Sequence, residues 1–259
     1  MKIATWNVNS VKARIDAVLG WLKEASPDVV GFQELKCLDE AFPRLEIEAL
    51  GYNVETFGQK TYNGVAILSK HPIEDVTRGL PGFEDVQSRY IEAVIAPKGG
   101  KAVRFCCLYL PNGNPVASEK YPYKLNWMAA LQARVEALLP LEEALIVAGD
   151  YNVIPTAADV HDPAAWARDA LFLPTSRAAF RRLENLGLTD AIRACNALPG
   201  QYTFWDYQAG AWPKNNGIRI DHLMLSPQAA DRLASAGIDR HVRAWDKASD
   251  HVPVWCTFN

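Results

Sequence analysis

The sequence lacks the cysteine pattern of a disulfide framework or a thiolate zinc site. Its five cysteines, an odd number, stand at positions 37, 106, 107, 195 and 256, and none of them forms a CxxC pair. A chain of 259 residues can bury a large core without such cross-links. This use of cysteine fits a reducing compartment, so we expect a cytoplasmic protein.

Long apolar runs and targeting segments are also missing. No run approaches the roughly 20 apolar residues that a membrane span requires. The first residues have the pattern of a strand, not that of a charged segment followed by an apolar one. No segment repeats at a fixed period or has the composition of a linker. We therefore expect no membrane association and a single domain spanning residues 1–259.

An excess of positive charge is absent as well. The formal net charge is −3, so the charge balance gives no sign of nucleic-acid binding, whose usual signature is a basic surface. The G-x-S-x-G elbow, the G-x-x-x-x-G-K-[ST] loop, the G-x-G-x-x-G turn and the H-E-x-x-H helix do not occur. These absences argue against several common enzyme classes.

Apolar strand patterns outnumber helical ones. Strands are predicted at Met1–Val8, 28–34, Asn63–Ser69, Arg89–Ala96, Val103–Leu110, Ala144–Ala148, Ile218–Leu225 and Val252–Phe258. Helices are predicted from an N-cap at Ser10 to a stop at Ser26-Pro27, and at Glu119–Leu139, Ser176–Leu186 and Gln228–Ala236. Many of the strands are apolar on both faces, so both faces must be covered. We predict an α/β fold in which two packed sheets are flanked by helices.

Polar side chains cluster where the apolar strands end, which is where ligand clefts commonly form. The residues concerned are Asn7, Asn9, Glu34, Tyr109, Asn112, Asp150, Asn152, Asp221, Asp250 and His251. Because side chains alternate faces along a strand, Asp150 and Asn152 should share a face from which Tyr151 points away. Asp221 and His222 should point to opposite faces, so only one of these two can belong to the site.

The clustered residues are rich in oxygen ligands. Carboxylates and amides without paired thiols favour Mg²⁺ or Mn²⁺ over Zn²⁺. Together with one histidine and one tyrosine, they suit metal-assisted hydrolysis of a phosphate ester. Each residue alone has an ordinary explanation, such as a turn at Gly149-Asp150. Their joint position at strand ends favours a site.

An aromatic segment, Tyr202–Tyr207, lies between Gly200 and Gly210. Such a segment is commonly part of the core. Four aromatic residues among six in a glycine-bounded stretch also fit an exposed loop that stacks a base or receives a sugar. We expect the second role.

Six motifs together resemble the series of the endonuclease/exonuclease/phosphatase superfamily. They are Ile-Ala-Thr-Trp-Asn-Val-Asn-Ser (3–10), Gln-Glu (33–34), Leu-Tyr-Leu-Pro-Asn-Gly (108–113), Gly-Asp-Tyr-Asn (149–152), Arg-Ile-Asp (219–221) and Ser-Asp-His (249–251). Their order and spacing, with Phe-Trp-Asp-Tyr at 204–207, are most similar to the exonuclease III branch, the bacterial abasic-site endonucleases. The resemblance runs from the first predicted strand to the last.

The resemblance implies a fold, an activity and a substrate. The fold is a four-layer α/β sandwich with two central mixed β-sheets flanked by helices. The activity is Mg²⁺-dependent hydrolysis of the phosphodiester 5′ to abasic sites in duplex DNA, with 3′–5′ exonuclease and 3′-phosphatase or phosphodiesterase activity. Mn²⁺ would substitute for Mg²⁺. The substrate is double-stranded DNA with abasic sites or blocked 3′ ends, and the enzyme would be a monomer.

The resemblance also implies three sets of site residues. The catalytic residues would be Tyr109, Asp150, Asn152, Asp221 and His251. The metal site would draw on Asn7, Glu34, Asp150, Asn152, Asp250 and His251, with Glu34 as the main ligand. The substrate would be bound by Asn112, Phe204, Trp205 and Ile218, and the last three would line a pocket for a base-less sugar.

Within the catalytic set, the resemblance assigns each residue a role. Asp150 and Asn152 would activate and position the attacking water, and Tyr109 would contact the scissile phosphate. Asp221 and His251 would form a carboxylate–imidazole pair. Three other functions stay open at this point: a superfamily phosphodiesterase acting on a small or lipid phosphate ester, a secreted non-specific nuclease, and a non-catalytic nucleic-acid-binding module.

Overall fold

The computed structural model describes residues 1–259 and contains two six-stranded β-sheets. The first sheet consists of β1 (Lys2–Asn7), β2 (Val29–Gln33), β3 (Asn53–Phe57), β4 (Val65–Ser69), β11 (Leu233–Ile238) and β12 (Val254–Phe258). The second consists of β5 (Ile73–Arg78), β6 (Tyr90–Ile95), β7 (Val103–Tyr109), β8 (Ala144–Asp150), β9 (Thr189–Asp190) and β10 (Asp221–Leu225). The strand orders are β11-β12-β1-β2-β4-β3 and β5-β6-β7-β8-β10-β9. Both sheets are mixed, because β1 with β2 and β7 with β8 are parallel pairs among antiparallel ones.

Six α-helices connect or cover the strands. They are α1 (Ile15–Ala25), α2 (Arg44–Glu48), α3 (Lys120–Leu138), α4 (Pro174–Asn185), α5 (Ala191–Cys195) and α6 (Pro227–Ala230). Only α1, α3 and α4 extend beyond two turns. None of the helices combines the length and the apolar composition that a membrane crossing requires.

The two sheets pack face to face through a fully buried aliphatic and aromatic layer. Ile3 of the first sheet and Phe105 and Ile146 of the second belong to this layer. The sheets approach each other closely at Gly31, where a β-carbon would lie 2.8 Å from the sulfur of Cys107. Each large apolar side chain buried here contributes about 1.5–3 kcal/mol to stability. This layer is the central core of the molecule.

Helices cover the outer face of each sheet. Trp6 of β1 packs edge to face on Trp21 of α1, with ring centroids 5.5 Å apart. On the other side, Tyr151 packs on Phe180 of α4 at 5.6 Å. The resulting order of helix, sheet, sheet and helix confirms the predicted four-layer α/β sandwich.

The polar strand ends converge at one end of the sandwich. Asn7 pairs with Gln33 where the parallel strands β1 and β2 finish. Tyr109 pairs with Asp150 where β7 and β8 finish, and Asp221 begins the antiparallel β10 directly opposite Asp150. The connectivity of both sheets therefore delivers these side chains to the same place.

Two local predictions were wrong, and two strands were not predicted. The helix predicted over Gln228–Ala236 is only the short α6, and the edge strand β11 follows it because these residues pair with β12. Helix α1 starts at Ile15 rather than after Ser10, whose φ of 82° is incompatible with an N-cap. The sequence pattern does not reveal β3 and β5, because β5 is largely exposed and shows no apolar run.

Candidate active site

A cleft of about 300 Å³ opens where the polar strand ends converge. Most of the predicted site residues line it: Glu34, Tyr109, Asn112, Asp150, Asn152, Phe204, Ile218, Asp250 and His251. Asn7 and Asp221 lie behind its floor and hydrogen-bond to residues that line it. The structure thus brings together side chains from both sheets and from seven segments of the chain.

Glu34, Asp150 and His251 form a compact cluster in the floor of the cleft. Each offers one potential ligand atom, and these atoms lie within 4.8 Å of one another. The two carboxylates, with no thiol beside them, are suited to a hard divalent cation. The donor set therefore fits the class of metal predicted from the sequence.

Asn7 bridges the two carboxylates of this cluster. Its Nδ2 donates to Oε1 of Glu34 and to Oδ2 of Asp150, each at 2.9 Å. Its Oδ1 accepts the main-chain N–H of Asn9 at 3.0 Å. Asn7 therefore lies in the predicted metal site. Its side-chain nitrogen faces the two carboxylates, and its oxygen is bonded to the main chain of Asn9.

Glu34 is aimed at the cleft by an unusual backbone conformation. Its φ is 55°, in the left-handed region that costs most residues about 1–2 kcal/mol. Its Oε2 lies 2.8 Å from Nζ of Lys36. Burial raises the pKa of Glu34, but Lys36, the Asn7 amide and His251 outweigh burial and hold the pKa below its ordinary value. Glu34 is therefore an anion at neutral pH.

Asp150 depends on the glycine before it. A β-carbon at Gly149 would lie 1.9 Å from the carbonyl oxygen of Leu108, so only glycine lets β8 run this close to β7. The Asp150 carboxylate is buried, and burial raises its pKa even though His251 opposes the shift. A carboxylate with a raised pKa is a better proton acceptor near neutral pH.

His251 contacts a carboxylate on each side. Its Nδ1 is 2.9 Å from Oδ2 of Asp221, and its Nε2 is 3.7 Å from Oδ2 of Asp150. Asp221 also accepts the hydroxyl hydrogen of Thr203 at 2.6 Å. Burial lowers the pKa of His251, but Asp221 and Asp150 outweigh burial and raise it above its ordinary value. The ring is therefore an imidazolium at neutral pH, and the predicted carboxylate–imidazole pair is present.

Asn152 and Asn112 line the wall next to Asp150 and are held by a buried lysine. Asn152, with a φ of 47°, donates from Nδ2 to the carbonyl of Leu110 at 2.9 Å and accepts from Nδ2 of Asn112 at 3.2 Å. Nζ of Lys124 donates to the main-chain carbonyls of Asn152 and Asn112 at 2.5 and 3.0 Å. Burial lowers the pKa of Lys124 to about 7. The lysine thus ties together the two loops that carry these amides.

Asp250 lies at the rim, outside the compact cluster. Its Oδ1 accepts from Nδ2 of Asn9 at 3.0 Å. Asn9 in turn accepts from Nζ of Lys36 at 2.6 Å. A polar chain therefore connects Asp250 to the cation that neighbours Glu34.

One wall of the cleft is apolar. Phe204 and Ile218 lie in it as predicted, and the Phe204 ring packs edge to face on the imidazole of His251 with centroids 4.9 Å apart. Trp166, Leu171 and Ile220 complete the wall. The sequence reasoning missed these three residues.

Trp205 does not belong to this wall. It is fully buried beneath the loop, against Tyr202 and Val252, and its Nε1 donates to Oδ1 of Asn215 at 3.2 Å. The reason is the extended backbone at Phe204, which sends neighbouring side chains to opposite sides. The prediction that Trp205 lines the pocket, and that most of this aromatic segment is exposed, was wrong.

His222 points away from the cleft, as the strand alternation predicts. Its Nε2 is 3.0 Å from the carbonyl of Val153, and its Nδ1 is 3.1 Å from Nη1 of Arg219. Burial and Arg219 lower the pKa of His222 to about 4, so the ring is neutral. Arg219 is itself buried between Asp159 at 2.7 Å and Asp190 at 2.6 Å. This ion pair network supports the strand end that carries Asp221.

The endonuclease/exonuclease/phosphatase family model matches residues 4–251. The chain belongs to this family. The matched residues begin within β1 and end before β12, so they include ten complete strands and every residue that lines the cleft.

Three members of known activity are similar to the chain over its full length. It is 35% identical to the exodeoxyribonuclease III of Haemophilus influenzae, over 100% of both chains. A 3′ phosphatase from Neisseria, solved with a product DNA hairpin, has a TM-score of 0.96 at 37% identity and covers 100% of this chain and 99% of that chain. An AP endonuclease from Archaeoglobus fulgidus has a TM-score of 0.95 at 35% identity, with the same coverage. These relatives confirm the predicted fold and the predicted enzyme class, a nuclease.

Within this family fold, the site uses residues that the sequence reasoning missed. Lys124 lies on the buried face of α3, one turn before Trp127 and Met128. Its spacing from these two residues indicates a buried lysine and could have been used to predict one. Lys36, Thr203 and Trp166 lie in loops, and their roles depend on contacts between distant segments. No local pattern marks them.

Proposed function

We propose that the chain is a Mg²⁺-dependent DNA repair nuclease that hydrolyses the phosphodiester 5′ to an abasic site in duplex DNA. The same site would act at 3′ ends as an exonuclease and as a phosphatase or phosphodiesterase that removes blocking groups. The observation that carries the proposal is the position of His251 between Asp150 and Asp221, beside Glu34 and against an apolar wall. The names of the relatives, an exodeoxyribonuclease, a 3′ phosphatase and an AP endonuclease, cover the same activities.

The ligands available in the cleft support Mg²⁺. Glu34 and Asp150 would hold the ion, with Asp250 at the rim as a further carboxylate. Mn²⁺ accepts the same oxygen ligands and would substitute. When bound, a divalent ion offsets the charge of the phosphate and of the leaving oxygen. His251, charged by its two carboxylate neighbours, is better suited to the phosphate than to the cation.

Asp150 is the proton acceptor for the attacking water in this proposal. Its burial makes it basic enough to take a proton, and its main-chain neighbour keeps it in place, since Oδ1 accepts the N–H of Asn152 at 2.9 Å. A positioned general base contributes roughly 10²–10⁴ in rate. Asn152 and Asn112 then flank the water and the phosphate.

His251 and Tyr109 are the donors to the phosphate oxygens. Asp221 fixes the imidazole through Nδ1, which leaves the Nε2–H free to face the cleft. Burial, with Glu34 and Asp150 nearby, raises the pKa of Tyr109 well above its ordinary value, so its hydroxyl stays protonated and donates. One such donor contributes roughly 10²–10³ to the rate.

The apolar wall explains why a base-less sugar is the preferred substrate in this proposal. Phe204, Ile218 and Trp166 form an apolar wall in an otherwise polar cleft, so a deoxyribose without a base can lie against this wall, while an intact nucleotide has to be displaced from its stack. We further propose that the enzyme acts as a cytoplasmic monomer, because its cleft is complete within one chain and all its cysteines are free.

The test is an incision assay on a duplex that carries one tetrahydrofuran analogue of an abasic site, with Mg²⁺ or EDTA. A duplex with a 3′-phosphate, an intact duplex and a panel of inositol phosphates and sphingomyelin are assayed in parallel. We expect Mg²⁺-dependent incision at the analogue and release of phosphate from the 3′ end. Preferential cleavage of the small or lipid esters would contradict the proposal, and binding to DNA without any cleavage would indicate a non-catalytic module.

A further inference from the structure

A second groove, with a volume of about 410 Å³, lies beside the active-site cleft. It is lined by the side chains of Arg14, Tyr207, Arg243, Trp245 and Lys247, and we call it the Tyr207 groove. Tyr207 is the exposed end of the aromatic segment whose other members belong to the core or the cleft. The groove therefore combines three cations with two aromatic rings and contains no carboxylate.

The Tyr207 groove is continuous with the cleft through Asn9. Nδ2 of Asn9 lies 3.4 Å from the hydroxyl of Tyr207 and 3.0 Å from Oδ1 of Asp250. Asp250 lines the cleft. A polymer that occupies the cleft and leaves it on this side would therefore pass over the groove.

The three cations of the groove have no acidic partners. Arg14, Arg243 and Lys247 form no ion pair within 4.0 Å, although the chain carries more acidic than basic residues. Nε of Arg14 is shielded from solvent and has no hydrogen-bond partner. Arg243 donates only to the carbonyl of Trp205, at 3.2 and 3.4 Å. Like charges brought together without counter-charges repel, so the uncompensated positive charge of the groove favours an anionic ligand.

Tyr207 holds the two arginines of the groove in place before any ligand binds. Its hydroxyl donates to the carbonyl of Ala248 at 2.8 Å and accepts from Nη2 of Arg14 at 3.1 Å. The guanidinium of Arg243 lies over the tyrosine ring, 5.0 Å from its centroid. Fixing the arginines in advance reduces the entropy that binding would otherwise cost.

We propose that the Tyr207 groove binds backbone phosphates of the DNA substrate outside the cleft, on the side of the loop between β1 and α1. The proposal rests on the proposed function of the cleft. An open groove with separate cations suits a run of phosphates better than one small anion, and charged hydrogen bonds to phosphate position a duplex without reading its sequence. This groove supplies the local positive charge that the overall net charge of −3 does not.

The test compares the double variant Arg14→Ala/Lys247→Ala with the wild type on abasic-analogue duplexes that have either long or short flanks. Arg14 is the N-cap residue of α1 but makes no side-chain cap bond, so its truncation leaves the helix start intact. The control is Lys98→Ala/Lys101→Ala, which removes the same charge from the exposed turn before β7, at the other end of the strand from Tyr109. Binding is also measured with Ca²⁺ in place of Mg²⁺, across a salt series.

We expect the groove variant to raise KM about tenfold on the long duplex, with kcat unchanged. The slope of log K against log salt should become shallower by about two, since each lost phosphate contact removes roughly 0.9. Arg14→Lys should retain most of the affinity, and the control pair should behave like the wild type. Short flanks that do not reach the groove should abolish the difference.

Two results would overturn the inference. One is a groove variant with wild-type KM and salt slope on long duplexes. The other is an equal loss for groove and control variants, which would show that only net charge matters. If the wild-type protein binds duplex DNA but cleaves none of the substrates, the proposed function is contradicted. The Ca²⁺ binding series then still tests whether the groove binds DNA.

Discussion

Asp150 and Asp221 lie directly opposite each other on β8 and β10, and His251 contacts both of their carboxylates. Two buried carboxylates this close would repel if nothing lay between them. The positive charge of the imidazolium compensates that repulsion, and the two negative carboxylates in turn keep the imidazole protonated. The pairing of two strands thus places both carboxylates beside His251, where together they raise the pKa of its ring.

The first prediction concerns the proton acceptor. Asp150→Asn keeps the size of the side chain but removes its basicity, so we expect kcat for incision to fall by at least ~10². The KM for DNA should stay the same or decrease, because a negative charge that faces phosphate is gone. Steady-state kinetics on the abasic-analogue duplex measure both. A loss confined to KM would show that Asp150 serves binding alone.

The second prediction concerns the metal. Glu34→Ala should abolish most Mg²⁺-dependent cleavage and raise the Mg²⁺ concentration that half-saturates the remainder, because the main carboxylate ligand is lost. EDTA should abolish cleavage by the wild type. Glu40 is an exposed acid in the short 3₁₀ helix Asp39–Ala41, so Glu40→Ala is the matched control and should leave the metal titration unchanged. Full activity in EDTA would contradict the prediction.

Much of the site could be predicted from strand geometry alone. Asp221 and His222 are adjacent in an apolar strand, and alternation correctly separates the residue that faces His251 from the one that faces Val153. Asp150 and Asn152 also reach the same cleft, although the turn at Asn152 is made by its positive φ and not by a continued strand. In these cases the local backbone fixes the direction of the side chain.

The remainder depends on contacts that no local pattern encodes. Trp166 reaches the cleft because its loop is pinned by Asp169, whose Oδ1 accepts from Nδ2 of Asn114 at 3.0 Å. Trp205 can be buried because its indole N–H donates to the side chain of Asn215 beneath the loop. Leu233–Ile238 forms a strand only because β12 lies beside it. Each outcome is decided by a partner distant in sequence.

The third prediction uses the buried His222. Its pKa of about 4 in the folded protein lies below its ordinary value near 6.5, so the unfolded chain binds the extra proton first. Unfolding free energy should therefore decrease as the pH falls from about 6.5 towards 4, by up to ~3 kcal/mol from this group. Urea titrations across that range measure the slope.

The variant His222→Leu isolates this contribution. It removes the titrating ring from a site that faces Phe180 and Tyr151, so the dependence of stability on acid pH should become weaker while incision activity is retained. Some stability at neutral pH will be lost, because Arg219 loses a neighbour. An unchanged pH slope would show that other groups dominate the acid response.

The last prediction concerns how the cleft recognises a base-less sugar. If Phe204 and Ile218 accept the sugar by apolar contact, then the ratio of affinities for abasic and intact duplexes should be nearly independent of salt, because apolar contacts are not screened. Absolute affinities should still fall with salt through the phosphate contacts. Phe204→Ala should lower the ratio about tenfold, whereas Phe204→Leu, which keeps an apolar surface, should retain most of it. Binding with Ca²⁺ across a salt series gives both quantities at once, and a ratio that collapses as salt rises would mean that discrimination is electrostatic and does not come from the apolar wall.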